Sequence, residues 1–269
     1  MASPNDIILE RPTNDLTLSE NFQIFLDQYL VLKEGESADT LFDYDKYRNE
    51  RTYGKTLELR QNLYTIIALT NLEELTRDEK VAFLINAYNF FAIDLVRKNL
   101  FKNGKRLKSI TRIGLIPFSS FKKKQFIISG KKVSLDNIEK GGIKNFPSVK
   151  SLMSNQDGTI DARFHFSVIC AALGCPILMK EAYTGANLDA QLDAATIAGL
   201  KQSRNLVEKN GSLYLTELFN WYKADFQNHR FTDGKAGTIQ AFINGFLPQA
   251  NTNLPVKFTK YDWKLNILE

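Results

Sequence analysis

"RDEKVAFLINAYNFFAIDLVRK", Arg77 to Lys98, decides how the rest of the chain is read. Thr76 stands before it as an N-cap and Glu79 follows three residues later, a capping box. Asp78 and Glu79 lie at the positive end of the predicted helix, Arg97 and Lys98 at its negative end. The apolar run Val81–Val96 is interrupted by Asn86, Asn89 and Asp94 and falls short of the ~20 residues a membrane span needs, so it reads as a core helix. Asn86 and Asn89 share a face with Phe90 and Ile93. Buried amides need partners, because an orphaned one costs roughly 1–3 kcal/mol. Two uses fit: fixing the backbone of a neighbouring irregular loop, or orienting a catalytic imidazole as in Cys–His–Asn hydrolases. Tyr88 lies on another face, where it can reach solvent or a cleft.

Outward from this helix, apolar periodicity predicts helices over Leu18–Leu32, Thr56–Ala68, Leu188–Arg204 and Thr238–Leu247, with a polar connection between the first two. "FKKKQFIISGKKVSL" reads as a hairpin, strand Phe121–Ile128 and strand Lys132–Leu135 about a Ser129-Gly130 turn. Ser134, with Asp136 and Glu139 after it, opens a short helix, and residues 141–161 read mostly as loop. The apolar run Phe164–Leu173 fits a buried helix capped by Gly174 or a strand, and its Ala-Ala-Leu-Gly ending favours helix. "NGSLYLTELFNWYKADF" gives a short strand and then a helix from about Thr216, and the tail "VKFTKYDWKLNILE" is extended. Residues 1–17 are irregular and 18–269 form one domain without repeats or linkers. The fold class is α+β, helix-rich with a small antiparallel sheet or hairpin.

Composition is that of an ordinary globular chain, with 43% hydrophobic and 24% charged residues in 269, and 19 Phe and 10 Tyr for the core. The net charge of +5 is compatible with an anionic partner and does not demand one. Two cysteines and two histidines, with no CxxC or HExxH spacing, provide neither a disulfide framework nor a metal site, and no cofactor is expected. On a helix Cys170 and Cys175 would point about 140° apart and lie too far apart to bridge, so both are expected as free thiols. The N-terminus lacks the basic and apolar regions of a signal peptide.

Six segments, in order, are similar to the family catalogued as domain of unknown function 547: "AFLINAYNFFAIDLV" (82–96), "VSLDNIEKGGIKN" (133–145), "DARFHFSVICAALGCPIL" (161–178), "ANLDAQLDAA" (186–195), "LFNWYKADF" (218–226) and "YDWKLN" (261–266). The resemblance covers roughly residues 20 to 266. It implies a periplasmic or secreted setting, as many bacterial members look exported, with a cytoplasmic one still open. It implies no established reaction. The stretch "KGGIKN" after Glu139 departs from the family's basic and apolar-Arg continuation.

Chemistry concentrates between His165 and Cys175. Cys175, between Gly174 and Pro176 at an element end, is the candidate nucleophile, and His165 the imidazole that would form its thiolate. On one straight helix the two would lie about 15 Å apart, at ~1.5 Å per residue, so the pair requires a turn near Gly174 or a strand at His165. Asn89 is the candidate orienting group, with Asn86, Tyr88, Glu139 and Arg163 as substrate-binding or supporting residues. Cys170 and Trp221 are expected in the core, His229 on the surface and Lys223 at a rim. Arg163, paired with Asp161 or Glu139, reads as a structural clamp or as a carboxylate-binding group. The expectation is a cysteine-dependent hydrolase or acyl-transfer enzyme for a small-molecule or peptide substrate, with a papain-like or transglutaminase-like architecture as an analogy. The alternative is a non-catalytic binding or scaffold domain. Lys122, Lys123, Lys124, Lys131 and Lys132 decorate the hairpin as a solvated edge, or as a contact for an anionic envelope polymer or membrane surface. No nucleic-acid motif is present.

Overall fold

A computed structural model describes residues 11–33, 39–50, 55–114, 118–227 and 237–268. Its helices are α1 (Leu18–Tyr29), α2 (Tyr44–Glu50), α3 (Lys55–Leu69), α4 (Arg77–Asn99), α5 (Ser119–Lys122), α6 (Leu135–Lys140), α7 (Val149–Leu152), α8 (Leu188–Leu200), α9 (Leu218–Trp221), α10 (Lys223–Gln227) and α11 (Ile239–Phe246). The strands are β1 (Leu30–Lys33), β2 (Asp39–Phe42), β3 (Phe101–Lys102), β4 (Lys105–Arg106), β5 (Phe126–Ile128), β6 (Lys131–Val133), β7 (Leu206–Lys209), β8 (Ser212–Thr216) and β9 (Val256–Thr259). The fold is α+β, helix-rich with small separate sheets.

The central helix forms as its sequence dictates. Thr76 and Glu79 make both halves of the capping box, and every residue from Val81 to Arg97 is buried. α4 packs against α1, α2, α6, α7 and α8, so its apolar surface is covered all round. Phe25, Tyr64 and Phe91 ring Phe90 at 5.1–5.7 Å between centroids, in edge-on and tilted contacts that aromatic quadrupoles favour.

Asp94 sits in that core with no exposure, and the fold encloses it in charge. Arg60 (3.2 Å), Arg97 and Lys98 (3.1 Å) surround its carboxylate, while Tyr47 (2.9 Å) and Tyr64 (2.6 Å) donate their hydroxyls. Burial by itself would raise its pKa, but the cations and hydroxyls outweigh it and hold the carboxyl far below the ordinary range.

Several predicted boundaries are corrected. The first helix ends at Tyr29, and Leu30 turns extended to pair with Phe42. β2 therefore lies inside the supposed polar connection, where Thr40 and Phe42 alternate inward with the period of a strand. The hairpin is shorter than expected: Phe118 enters the left-handed region (φ 62°) and starts α5, leaving Phe126–Val133 as the paired part. α7 lies in the predicted loop, and α8 stops at Leu200 rather than Arg204. β7 pairs antiparallel with β8, and the tail adds β9 parallel to β8, so the largest sheet is mixed. The helix expected from Thr216 is two short ones, broken at Tyr222.

Phe164–Leu173 is neither helix nor strand. A 3-10 turn covers Ala162–Phe166, and the chain then runs irregularly to a turn at Ala171 (φ 64°), in which the Cys175 N–H bonds Ala172 O at 3.0 Å. The 3-10 turn straddles two apolar clusters. Phe164 packs in the one around α4, and Ala162 and Phe166 pack in the other, with Phe219, Phe226 and Phe242. Gly199 is required here, because a Cβ on it would meet the Phe166 ring at 2.4 Å.

Candidate active site

The two asparagines of α4 each hold a segment of irregular backbone, Asn89 the one that leads to the site. Asn89 donates from Nδ2 to Ser167 O (2.9 Å) and accepts the Ile169 N–H at Oδ1 (2.9 Å). Asn86 makes the same reciprocal pair with Tyr183, at 2.8 and 3.0 Å. Both amides are thus consumed in fixing irregular backbone that no helix or sheet satisfies. Asn89 does not orient His165, as the Cys–His–Asn arrangement required; its partners place it one step away, under the segment that joins His165 to Cys170.

The orienting group is Asp225, on α10. Its carboxylate meets His165 Nε2 at 2.9 Å and also accepts the Ile160 N–H at 3.0 Å. Burial pushes Asp225 up, yet the bonds from His165 and Ile160 prevail and keep it below the ordinary carboxylate range. The imidazole is 3% exposed and lies flat against Tyr222, 3.9 Å between ring centroids. The sequence alone does not single out Asp225; the break between α9 and α10 lets it turn inward.

Cys170 and Cys175 are joined as a disulfide, correcting the expectation of free thiols. The turn at Ala171 brings their Cα atoms to 6.3 Å, within bridging range, where a helix would have diverged them. Cys175 is the more deeply buried, at 4% exposure, and Cys170 is half-buried rather than core. Cys175 Sγ accepts two hydrogen bonds, from the Cys170 N–H at 2.9 Å and from the Tyr261 hydroxyl at 3.1 Å.

Tyr261 arrives from the far end of the chain. The tail runs antiparallel to the cysteine turn: Leu173 N–H bonds Lys264 O (2.7 Å), Gly174 N–H bonds Asp262 O (2.8 Å) and Asn266 N–H bonds Ala171 O (2.9 Å). Gly174 permits this approach, since a Cβ there would come within 2.9 Å of the Tyr261 ring and of Asp262 N. Burial raises the Tyr261 phenol, which keeps it a donor.

These groups open onto one cavity of about 390 Å³. His165, Cys170, Cys175, Tyr88 and Glu139 line its interior, and Trp221, Tyr261 and Trp263 its wall. Trp221 is 46% exposed, stacked on Trp263 at 5.7 Å, and not in the core as expected. Burial raises Glu139 above the ordinary carboxyl range, and Tyr88 donates a long hydrogen bond to it, 3.5 Å. Tyr222, also on the wall, is pushed up to about 12 by burial and the neighbouring Glu139.

Arg163 stands apart from this cavity. It forks onto Asp161 (2.6 Å), Asp189 (2.8 Å) and Asp193 (2.6 Å), tying the 3-10 turn to α8 as a clamp, without Glu139. His229 lies outside the described residues. Lys122 lines the cavity, and Lys123, Lys124, Lys131 and Lys132 are exposed. Among the described residues no cluster of potential metal ligands forms, and no helix is long and apolar enough to cross a membrane.

No curated protein and no solved structure matches this chain. The family described as "Protein of unknown function, DUF547" does: its model spans residues 72–198, which include α4, Glu139, His165 and both cysteines and stop short of Asp225 and Tyr261. Over that stretch, just under half of its length, the chain is similar to the DUF547 family.

Proposed function

We propose that the chain is a cysteine-dependent hydrolase or acyl-transfer enzyme whose reduced form carries the activity. One observation supports the reading most: an imidazole held by a carboxylate at 2.9 Å faces the same cavity as a cysteine sulfur that already receives two hydrogen bonds. Donors aimed at a sulfur stabilise its thiolate. Cys175 Sγ would add to the acyl carbon of a substrate. The leaving group would depart with the proton that His165 took from the thiol, leaving a thioester that water or an acceptor nucleophile cleaves. Asp225 fixes the imidazole, the role first assigned to Asn89. Glu139 lines the same cavity, and burial favours its protonated form, in which it would donate a hydrogen bond to the acyl oxygen.

The test is a pre-steady-state burst. Dithiothreitol-reduced protein is mixed with a p-nitrophenyl ester and the acylated peptide is mapped by mass. A stoichiometric burst with the acyl group on Cys175, lost in His165→Ala, is expected. Turnover without a Cys175 adduct would remove the reading.

The disulfide itself favours a second reading, a binding domain in which the sulfurs are structural and the aromatic cavity holds a ligand. In that reading Lys122, Lys123, Lys124, Lys131 and Lys132 would meet an anionic envelope polymer or membrane surface. Cosedimentation with anionic vesicles, reversed by salt, is its signature.

A further inference from the structure

We propose that the oxidised protein undergoes thiol–disulfide exchange with a low-molecular-weight thiol that enters the cavity and attacks Cys170. This rests on reading the cavity as a thiol site, but not on acyl transfer.

The two sulfurs are not equivalent. Cys170 is the more exposed of the pair, and it lines the cavity. Cys175 is 4% exposed; its Sγ receives the Cys170 N–H at 2.9 Å and is the nearer of the two sulfurs to the Tyr261 hydroxyl, 3.1 Å against 3.5 Å for Cys170 Sγ. Exchange runs fastest when the attacked sulfur is accessible and the departing one is the better thiolate. The asymmetry therefore assigns attack to Cys170 and departure to Cys175.

The step balances. The incoming thiol gives its proton to His165, which lines the same cavity, and its sulfur forms a new bond to Cys170 Sγ. The Cys170–Cys175 bond breaks, and its electron pair stays on Cys175 Sγ as a thiolate between two donors. The entering sulfur is oxidised to a mixed disulfide as Cys175 is reduced. A second equivalent of thiol attacks the entered sulfur, releasing the small disulfide and leaving the dithiol. Tyr261 is a positioning residue in this scheme: it touches the sulfur that leaves, not the entering thiol.

Oxidised full-length protein is incubated with glutathione, quenched in acid and mapped by peptide mass. The adduct is expected on Cys170, accumulating in Cys175→Ser offered oxidised glutathione. Tyr261→Phe removes one hydrogen bond to the developing thiolate, so exchange should slow roughly tenfold or more. In the reduced form its thiolate absorbance should emerge at higher pH, a change that a packing role alone would not cause. Adduct on Cys175, or exchange no faster than that of an unfolded peptide spanning residues 167–178, would overturn the proposal. An ester burst without glutathione exchange would sink this inference alone. Exchange without a burst would leave it standing and sink the acyl-transfer reading.

Discussion

Tyr261 donates to Cys175 Sγ at 3.1 Å across 86 positions of sequence, so the end of the chain completes a site whose other parts lie on α4, α6, the 162–176 segment and α10. The contact depends on a bare backbone at Gly174, where a side chain would strike both the Tyr261 ring and Asp262 N. Gly174→Ala must push the tail away. It should cost about 1–3 kcal/mol, as overpacking does, and lower Cys175 reactivity along with stability. Urea unfolding and alkylation of the reduced variant measure both; unchanged reactivity in a destabilised variant would separate the tail from the site.

Asn86 and Asn89 make the same pair of backbone bonds under different segments. Each Asn→Ala change orphans a buried N–H and a buried C=O and should cost about 2–4 kcal/mol. Their effects on chemistry should differ. Asn89→Ala loosens the backbone that leads to Cys170 and should change thiol reactivity, whereas Asn86→Ala, which frees Tyr183, should not. Equal effects on reactivity would mean that neither asparagine acts on the site specifically.

Asp94→Asn leaves Arg60, Arg97 and Lys98 gathered without a carboxylate. Breaking a buried pair by removing one partner costs about 3–5 kcal/mol. The folded protein holds this carboxyl below its unfolded value of ~3.9, so its contribution is present above that pH and disappears as pH falls through the depressed folded value. The stability gap between wild type and variant should stay constant from pH 8 to about pH 5 and close only in strong acid. A gap under about 1 kcal/mol at pH 7 would contradict the role.

Glu139 has the opposite sign. Its folded value lies above the unfolded ~4.3, so its contribution is full in acid below that value and is lost as pH rises through the folded one. Glu139→Gln stays neutral and removes that slope. Relative to wild type the variant should gain stability between pH 4 and pH 7 in paired urea titrations. The same difference at both pH values would mean that Glu139 is not held toward its neutral form.

What could be read from the sequence follows from which signals are local. The capping box of Thr76 and Glu79 and the apolar run behind it are local, so α4 was legible to its ends. The need of Asn86 and Asn89 for backbone partners was legible too, since burial and amide chemistry require it. Asn89's own partners were not legible, and neither was Asp225 as the carboxylate at His165. These depend on a chain turn at Ala171, a residue that seldom adopts φ 64°, and on the break between α9 and α10. The same turn made the disulfide unforeseeable, because the apolar run from Phe164 gave no sign of it. Tyr261 and Trp263 were visible only as part of a resembling tail, since the contact that matters is set by the register of Leu173 and Gly174 against residues 262–264.

Cys175 as an activated thiol is the central claim, and its reaction with iodoacetamide tests it most directly. The protein is reduced, Cys170 is replaced by Ser to leave one thiol, and the rate is followed from pH 5 to pH 10. The account predicts a thiolate formed below the ordinary thiol value of ~8.5, moved upward by Tyr261→Phe and by His165→Ala. A rate that rises only above about pH 8.5, indifferent to both substitutions, would contradict it.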